Sequence, residues 1–152
     1  MTGLEIKGVL LAECQEKVNG RYQKIKQTIV DLNEALEEKS NSGGDDGFDN
    51  SRSMIQIDIE NTTKQLGEVN VLRDILQKID ISSTTNYARL GSLVRTNKAT
   101  YFLSLSIGNV LVKNENYLCV ALHSPIGEML SGKLPGEKFI FNQVEQEILE
   151  IK

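Results

Sequence analysis

The chain has 152 residues, of which 39 % are hydrophobic and 25 % charged, with a formal net charge of −4. This composition predicts a folded protein of one domain or two small ones. No apolar run reaches the about 18 residues that span a bilayer, and the first residues do not resemble a signal peptide, so we expect a cytoplasmic protein with no membrane partner. Every aspartate lies at or before Asp80, and this acidic first half disfavours binding to free nucleic acid, which requires basic surface.

Two long apolar stripes dominate the first half, after a start at residues 1–8 that carries no clear pattern. Their spacing of mostly three and four is typical of a coiled-coil seam. It predicts one helix that ends near Lys39 and a second that begins at Asn50 or Ser51, both good N-caps. The stripe residues are Leu11, Cys14, Val18, Tyr22, Ile25, Ile29, Leu32 and Leu36 in the first helix, and Ile55, Ile59, Thr62, Leu66, Val69, Leu72, Leu76 and Ile79 in the second.

A polar connector, residues 40–51, joins the two predicted helices and carries the carboxylates of Asp45, Asp46 and Asp49. Long helices joined by a short polar segment form an antiparallel hairpin, so the connector is predicted to be the tip of that hairpin. In the simplest interpretation the acids only solvate the connector and favour the start of the second helix. The acids do not follow the ligand spacing of an EF-hand calcium loop.

The pattern changes at the polar linker 81–86, which predicts two domains, a coiled-coil hairpin over 1–80 and an α+β domain over 81–152. A short helix is predicted over 125–131, with Ser124 as its cap and Pro125 at its first position. Short β runs surround this helix, and we expect them to form a small antiparallel sheet. The β runs are 88–95, 100–107, 110–112, 117–122, 138–142 and 145–151.

The two cysteines and the single histidine favour structural roles. Cys14 lies on the first helical stripe and Cys119 in a β run, so the sequence predicts buried free thiols more strongly than a disulfide or a metal pair. His123 has no evident nucleophile beside it in the sequence pattern. A surface position at the end of a strand is the expectation for this histidine.

The segment 123–137 reads His-Ser-Pro-Ile-Gly-Glu-Met-Leu-Ser-Gly-Lys-Leu-Pro-Gly-Glu. It resembles the Ser-Pro-(Ile/Leu)-Gly-x-x-Leu-x-Gly-Lys-x-x-Gly-(Asp/Glu) signature of the Gre family, the transcript-cleavage factors of bacterial RNA polymerase. The closing residues 147–151 are also similar to the end of that family's C-terminal domain. The resemblance implies a coiled-coil hairpin followed by an FKBP-like domain. It also implies a surface that docks on the polymerase, at Ser124, Pro125, Ile126 and Gly127.

The same resemblance gives the connector a function. Gre factors carry Gly-Asp-x-x-Glu-Asn at the tip, and Asp46, Asp49 and Asn50 fall on its Asp, Glu and Asn. The resemblance implies that the hairpin enters the secondary channel of the polymerase. There Asp46 and Asp49 would share Mg²⁺ of the polymerase active centre and assist hydrolysis of the 3′ end of backtracked RNA. Such a protein needs no cofactor of its own, is not a complete enzyme, and is expected to be a monomer.

Two alternatives stay open. Asp49 stands where the family has Glu, and Asn50 is followed by Ser-Arg-Ser where the family usually has Ala-Glu-Tyr. These departures favour a Gre-like regulator that occupies the channel and inhibits or modulates transcription without stimulating cleavage. The FKBP-like domain also suggests a prolyl isomerase, although the sequence offers few aromatic residues to line a proline pocket.

Overall fold

The computed structural model describes residues 1–41 and 50–152. They fall into two compact units, one of Met1–Lys17 with Asp74–Lys152 and one of Val18–Arg73. The described chain is α+β, with two long helices followed by a mixed sheet and a short helix. The elements are α1 (Gly3–Asn41), α2 (Ser51–Gln77), β1 (Leu93–Thr96), β2 (Thr100–Ser104), β3 (Gly108–Val112), β4 (Glu115–Ala121), α3 (Pro125–Leu130), β5 (Lys138–Phe141) and β6 (Val144–Ile151).

Helix α1 begins at Gly3, well before the first stripe residue that the sequence analysis used. The hydroxyl oxygen of Thr2 accepts a hydrogen bond of 3.1 Å from the Glu5 N–H, and the Thr2 hydroxyl lies 3.3 Å from the Glu5 carboxylate. Thr-x-x-Glu is the spacing of a capping box, which satisfies backbone donors that a helix start leaves free. The capping pattern therefore marks this helix start, although residues 1–8 show no apolar periodicity.

In the unit of Val18–Arg73 the predicted stripes are the shielded faces of the helices. Val18, Ile25, Thr62 and Val69 are buried, and the other stripe residues of this unit are half-buried. The guanidinium of Arg73, near the end of α2, lies 3.9 Å from the ring centroid of Tyr22. Tyr22 lies near the start of the part of α1 that belongs to this unit, and Arg73 lies near the end of α2. The contact therefore fits helices that run in opposite directions.

The sheet of the other unit is mixed, so the expectation of an antiparallel sheet is wrong in one respect. Among the described residues it has six strands in the order β3-β4-β2-β1-β6-β5. Strands β2 and β4 are parallel, and the other neighbouring strands pair antiparallel. Strand β3 pairs antiparallel with β4 at the edge of the sheet. The chain therefore reverses direction once between β2 and β3 and again between β3 and β4. Strand β4 therefore lies between β3 and β2 and follows the direction of β2.

Two tight turns join neighbouring strands of the sheet. Lys113 and Asn114 have φ of 48° and 66° between β3 and β4, and Asn142 and Gln143 have φ of 51° and 66° between β5 and β6. Positive φ at both central residues is the type I′ geometry, whose twist matches that of the flanking strands. Asparagine tolerates this conformation better than most residues.

The two faces of the sheet pack against different elements. One face forms a core with α3, in which Val94, Leu103, Leu130 and Ile148 are among the most buried residues. Because strand residues alternate between faces, Phe102, Ser104 and Cys119 belong to the opposite face, and Cys14 of α1 contacts Ser104 there. Residues 1–17 pack with the sheet in this unit, a contact for which the local sequence pattern carries no signal.

Candidate functional site

The carboxylates Asp46 and Asp49, predicted to act at the tip, lie in the segment 42–49, outside the described residues. Their role in holding Mg²⁺ stays a prediction from the sequence. The described chain resumes at Asn50, which is exposed, and its carbonyl oxygen accepts a hydrogen bond of 3.0 Å from the Met54 N–H. Helix α2 thus begins immediately after the predicted Asn of the tip motif.

Ser124 holds the start of α3. Its hydroxyl oxygen accepts a hydrogen bond of 3.1 Å from the Gly127 N–H, and the hydroxyl donates one of 2.6 Å to the Ala121 carbonyl. Its backbone is extended, as an N-cap requires, and Pro125 follows at the first turn, where its missing N–H costs nothing. The serine therefore joins the end of β4 to α3 through one side chain.

Gly127 lies where a side chain does not fit. A Cβ on this residue would lie 1.9 Å from the Ala121 carbonyl oxygen and 2.8 Å from that of Leu122. Ile126 beside it is buried in the core. Of the four residues predicted to bind a partner, Pro125 is the one that is exposed, and His123 and Glu128 are exposed beside it. We call His123, Pro125 and Glu128 the α3 surface.

The second half of the same segment is fixed by backbone geometry. Gly132 and Gly136 have φ of 82° and 91°, which favour glycine. The Gly132 N–H donates to the Ala88 carbonyl at 2.7 Å, and the Ala88 N–H donates to the Lys133 carbonyl at 2.9 Å. The Gly136 N–H donates to the Ile148 carbonyl at 2.7 Å. These bonds attach the segment to Ala88, which precedes β1, and to β6.

The two cysteines are buried free thiols, as the sequence predicts, but the structure also brings them together. Cys14 is 0 % exposed and Cys119 1 %, and each thiol is the largest influence on the pKa of the other. The Sγ atom of Cys14 also lies 3.6 Å from the Ser104 Oγ atom. The interaction of the two thiols lowers the pKa of Cys14 to about 7 and raises the pKa of Cys119, and the burial of Cys119 raises its pKa further.

A second buried polar group that the sequence analysis missed is Lys7 of α1. The residue is 2 % exposed, and its Nζ atom lies 3.4 Å from the Ile81 carbonyl oxygen, to which it donates. Desolvation on burial and the nearby charge of Arg89 lower the pKa of Lys7, and Asp80 partly opposes this shift. Its place on the capped first turns of α1 could have been found from the Thr-x-x-Glu spacing.

A cavity of about 150 Å³ on the α1 side of the sheet does not provide an aromatic proline pocket. Tyr117 is its one aromatic lining residue, and Tyr117 is itself buried, as are Tyr101, Phe102 and Phe139. This arrangement gives no support to a prolyl isomerase. The lining residues are Ile6, Leu93, Arg95, Thr100, Glu115, Tyr117, Glu150 and Lys152.

Within residues 1–41 and 50–152, no group of three or more His, Cys, Asp and Glu side chains is placed to hold a metal ion. No helix in this described part of the chain is both long and apolar enough to cross a bilayer.

Comparison with known proteins shows a weak likeness to a solved structure. No protein-family model and no curated protein matches the chain. Among solved structures, the chain is similar to one described as the structure of the transcription factor Gfh1, with 17 % sequence identity over 90 % of this chain and 91 % of that one. The TM-score is 0.35, so the two folds match only loosely and the likeness is too low to assign a function.

Proposed function

We propose that this protein is a transcription elongation factor of the Gre type, which binds bacterial RNA polymerase and stimulates cleavage of backtracked RNA. The observation that carries the proposal is the segment 123–137. Its sequence fits the Gre signature at each specified position, and its geometry explains why those residue types are needed. The Ser124 cap, the absent side chain of Gly127 and the positive φ of Gly132 and Gly136 are local requirements of one fold.

A chance match would not be expected to satisfy these requirements together. The specified serine is a cap, one specified glycine avoids a backbone clash, and two others occupy turns that favour glycine. The residues 81–152 are thus proposed to form the FKBP-like domain of this family. The long helices α1 and α2, with their shielded apolar stripes, are proposed to form its coiled-coil hairpin.

In this proposal the α3 surface contacts the rim of the polymerase secondary channel. Ser124, Ile126 and Gly127 act by holding that surface in place, since their own atoms are engaged in the fold. Pro125, His123 and Glu128 are the exposed side chains that a partner can contact. The predicted docking residues are therefore divided between support and contact.

Asp46 and Asp49 are proposed to complete the polymerase active centre when the hairpin occupies the channel. Mg²⁺ prefers hard oxygen ligands and is commonly shared between protein carboxylates and phosphate groups. A second metal ion in such a centre can activate a water and stabilise the leaving oxygen. The role of this chain is then to bring two carboxylates to a site that the polymerase otherwise provides.

Docking can be tested by measuring the affinity for core RNA polymerase with two matched variants. Pro125→Glu changes the chemistry of the α3 surface while placing an acid at a helix start, where it is favourable. Leu111→Glu makes the same kind of change at an apolar residue of β3 that is 63 % exposed. We expect Pro125→Glu to weaken binding at least about tenfold, or about 1.4 kcal/mol, and Leu111→Glu to leave it unchanged. Absence of binding by the unmodified protein would refute the proposal.

A second function is favoured by one specific observation, the aspartate at position 49. Its side chain is one methylene shorter than the family's glutamate, so its carboxylate reaches about 1 Å less far. A factor with the shorter acid could occupy the channel and slow transcription without promoting cleavage. Asp49→Glu separates the two functions, because a channel-blocking regulator should gain cleavage with this change, whereas a working cleavage factor should already cleave with Asp49.

A further inference from the structure

Cys14 and Cys119 form a buried thiol pair where α1 packs on the sheet. Both belong to the unit of Met1–Lys17 and Asp74–Lys152, and their exposed fractions are 0 % and 1 %. Each thiol perturbs the pKa of the other. Ser104, itself 1 % exposed, lies beside them with its Oγ atom 3.6 Å from the Cys14 Sγ atom.

The topology of the sheet explains this contact. In the parallel pair of β2 and β4, Phe102 is opposite Cys119 and Ser104 is opposite Ala121. Residues two apart on a strand share a face, so Ser104 and Cys119 are diagonal neighbours on the face that meets α1. On the other side of Cys119 its partner is Gly108 of β3. No side chain stands on β3 at that position, and on the same face Cys14 of α1 contacts Ser104, the diagonal neighbour of Cys119.

We propose that this pair is a site of reversible oxidation, at which peroxide converts the two thiols into a disulfide between α1 and β4. Cys14 is the sulfur that attacks peroxide, and Cys119 is the thiol that resolves the product. The proposal concerns residues outside the predicted tip and the α3 surface. It therefore does not depend on binding to the polymerase.

The reaction balances with hydrogen peroxide as the oxidant. The Cys14 thiolate attacks one peroxide oxygen, the O–O bond breaks, and the other oxygen leaves as water after protonation, which gives a sulfenic acid at Cys14. The Cys119 sulfur then attacks the Cys14 sulfur, the S–O bond breaks and a second water leaves. The two thiols together lose two electrons, and peroxide gains them. A dithiol reductant restores the pair by thiol–disulfide exchange.

The division of roles follows from the surroundings of each sulfur. The thiolate is the nucleophile in such reactions, and the interaction with Cys119, supported by Ser104, lowers the pKa of Cys14 to about 7. The same contact and the burial of Cys119 raise its pKa, so that Cys119 stays a thiol until Cys14 has reacted. Because both sulfurs are buried, peroxide reaches them through local opening of the packing of α1 on the sheet.

The disulfide would change stability because it joins residues that are far apart in the chain. A cross-link that closes a loop of about 100 residues removes much of the freedom of the unfolded chain, and for a protein of this size we expect the Tm to rise by about 10 °C. The bond would also fasten the start of α1 to the sheet.

The test uses the full-length protein treated with hydrogen peroxide, followed by alkylation under denaturing conditions and measurement of the intact mass. We expect a monomer that has lost two hydrogen atoms, takes up no alkylating reagent, and regains both thiols after treatment with a dithiol. Two thiols that remain alkylatable, a mass gain of oxygen atoms alone, or a disulfide between two chains would overturn the proposal. This measurement on the unmodified protein does not depend on the folding of any variant.

Two variants then assign the roles of the sulfurs. Cys119→Ser should accumulate a sulfenic acid at Cys14, which a dimedone-type reagent traps, and its Tm should not rise on oxidation. Cys14→Ser should react with peroxide at least about tenfold more slowly, because the activated thiolate is absent. Equal trapping in both variants would refute the assignment of Cys14 as the attacking sulfur.

Discussion

Gly127 of α3 packs so closely on Ala121 of β4 that a Cβ at position 127 would lie 1.9 Å from the Ala121 carbonyl oxygen. The obstacle is backbone that is hydrogen-bonded to Ser124, so it cannot rotate away as a flexible side chain would. Gly127→Ala should therefore displace α3 from the sheet and lower the free energy of unfolding by about 2–3 kcal/mol. Chemical denaturation followed by circular dichroism measures this loss.

Gly20 of α1 provides the matched control, because a Cβ there would meet no atom within 4 Å. Gly20→Ala should stabilise the helix by about 1 kcal/mol, since alanine has the higher helix propensity. If the two glycine substitutions change the unfolding free energy in the same direction, the close packing of α3 does not determine the stability at position 127.

The aromatic contact between Tyr22 and Arg73 is expected to stabilise the helical unit. The guanidinium lies 3.9 Å from the ring centroid, whereas the Lys26 ammonium lies 5.3 Å away. A double-mutant cycle with Tyr22→Leu and Arg73→Met should give a coupling energy of about 0.5–1 kcal/mol. The cycle with Lys26→Met should give less, and a larger coupling for Lys26 would contradict the geometry.

Much of the fold follows from local sequence patterns. The stripes of α1 and α2 and the start of α3 at Ser124 were predictable because helix periodicity and helix caps are set by a few neighbouring residues. The parallel pairing of β2 and β4 was not, because the alternation within a strand does not specify its neighbour. The start of α1 at Gly3 was missed because its signal is a cap, Thr2 with Glu5, and not an apolar stripe.

The candidate site was only partly predictable, for a related reason. Ser124 and Pro125 carry helix-start chemistry that can be recognised from sequence alone. The contact of Cys14 with Cys119, and the burial of Lys7, depend on the packing of α1 against a sheet formed by the distant end of the chain. The close approach at Gly127 likewise appears only when α3 is placed on β4.

Buried Lys7 should make stability depend on pH in the alkaline range. Its pKa in the folded protein is lowered from 10.5, chiefly by desolvation and then by Arg89, with Asp80 opposing. The unfolded chain therefore holds the proton more tightly, and the stability cost of the buried charge is present at neutral pH and is removed as pH rises toward 10.5. Relative to Lys7→Met, the unmodified protein should gain stability over this range.

The measurement is urea denaturation of the unmodified protein and Lys7→Met at a series of pH values below 10.5. Groups that titrate in both proteins largely cancel in the difference between their unfolding free energies. Lys24→Met removes a positive charge from an exposed position of α1 and serves as the control for the loss of a lysine charge. The linkage would be contradicted if the stability of the unmodified protein, relative to that of Lys7→Met, stayed constant or fell with rising pH.

The central claim is tested most directly by cleavage of RNA in stalled, backtracked elongation complexes of a bacterial RNA polymerase. The reaction is compared without factor, with this protein, with Asp46→Ala/Asp49→Ala, and with Asp45→Ala as a control for lost tip charge. The Gre-type proposal predicts that the protein and Asp45→Ala shorten the RNA in a Mg²⁺-dependent reaction. It also predicts that the double variant binds the polymerase but does not shorten the RNA. Cleavage that is unchanged by the protein, or equally fast with the double variant, would contradict it.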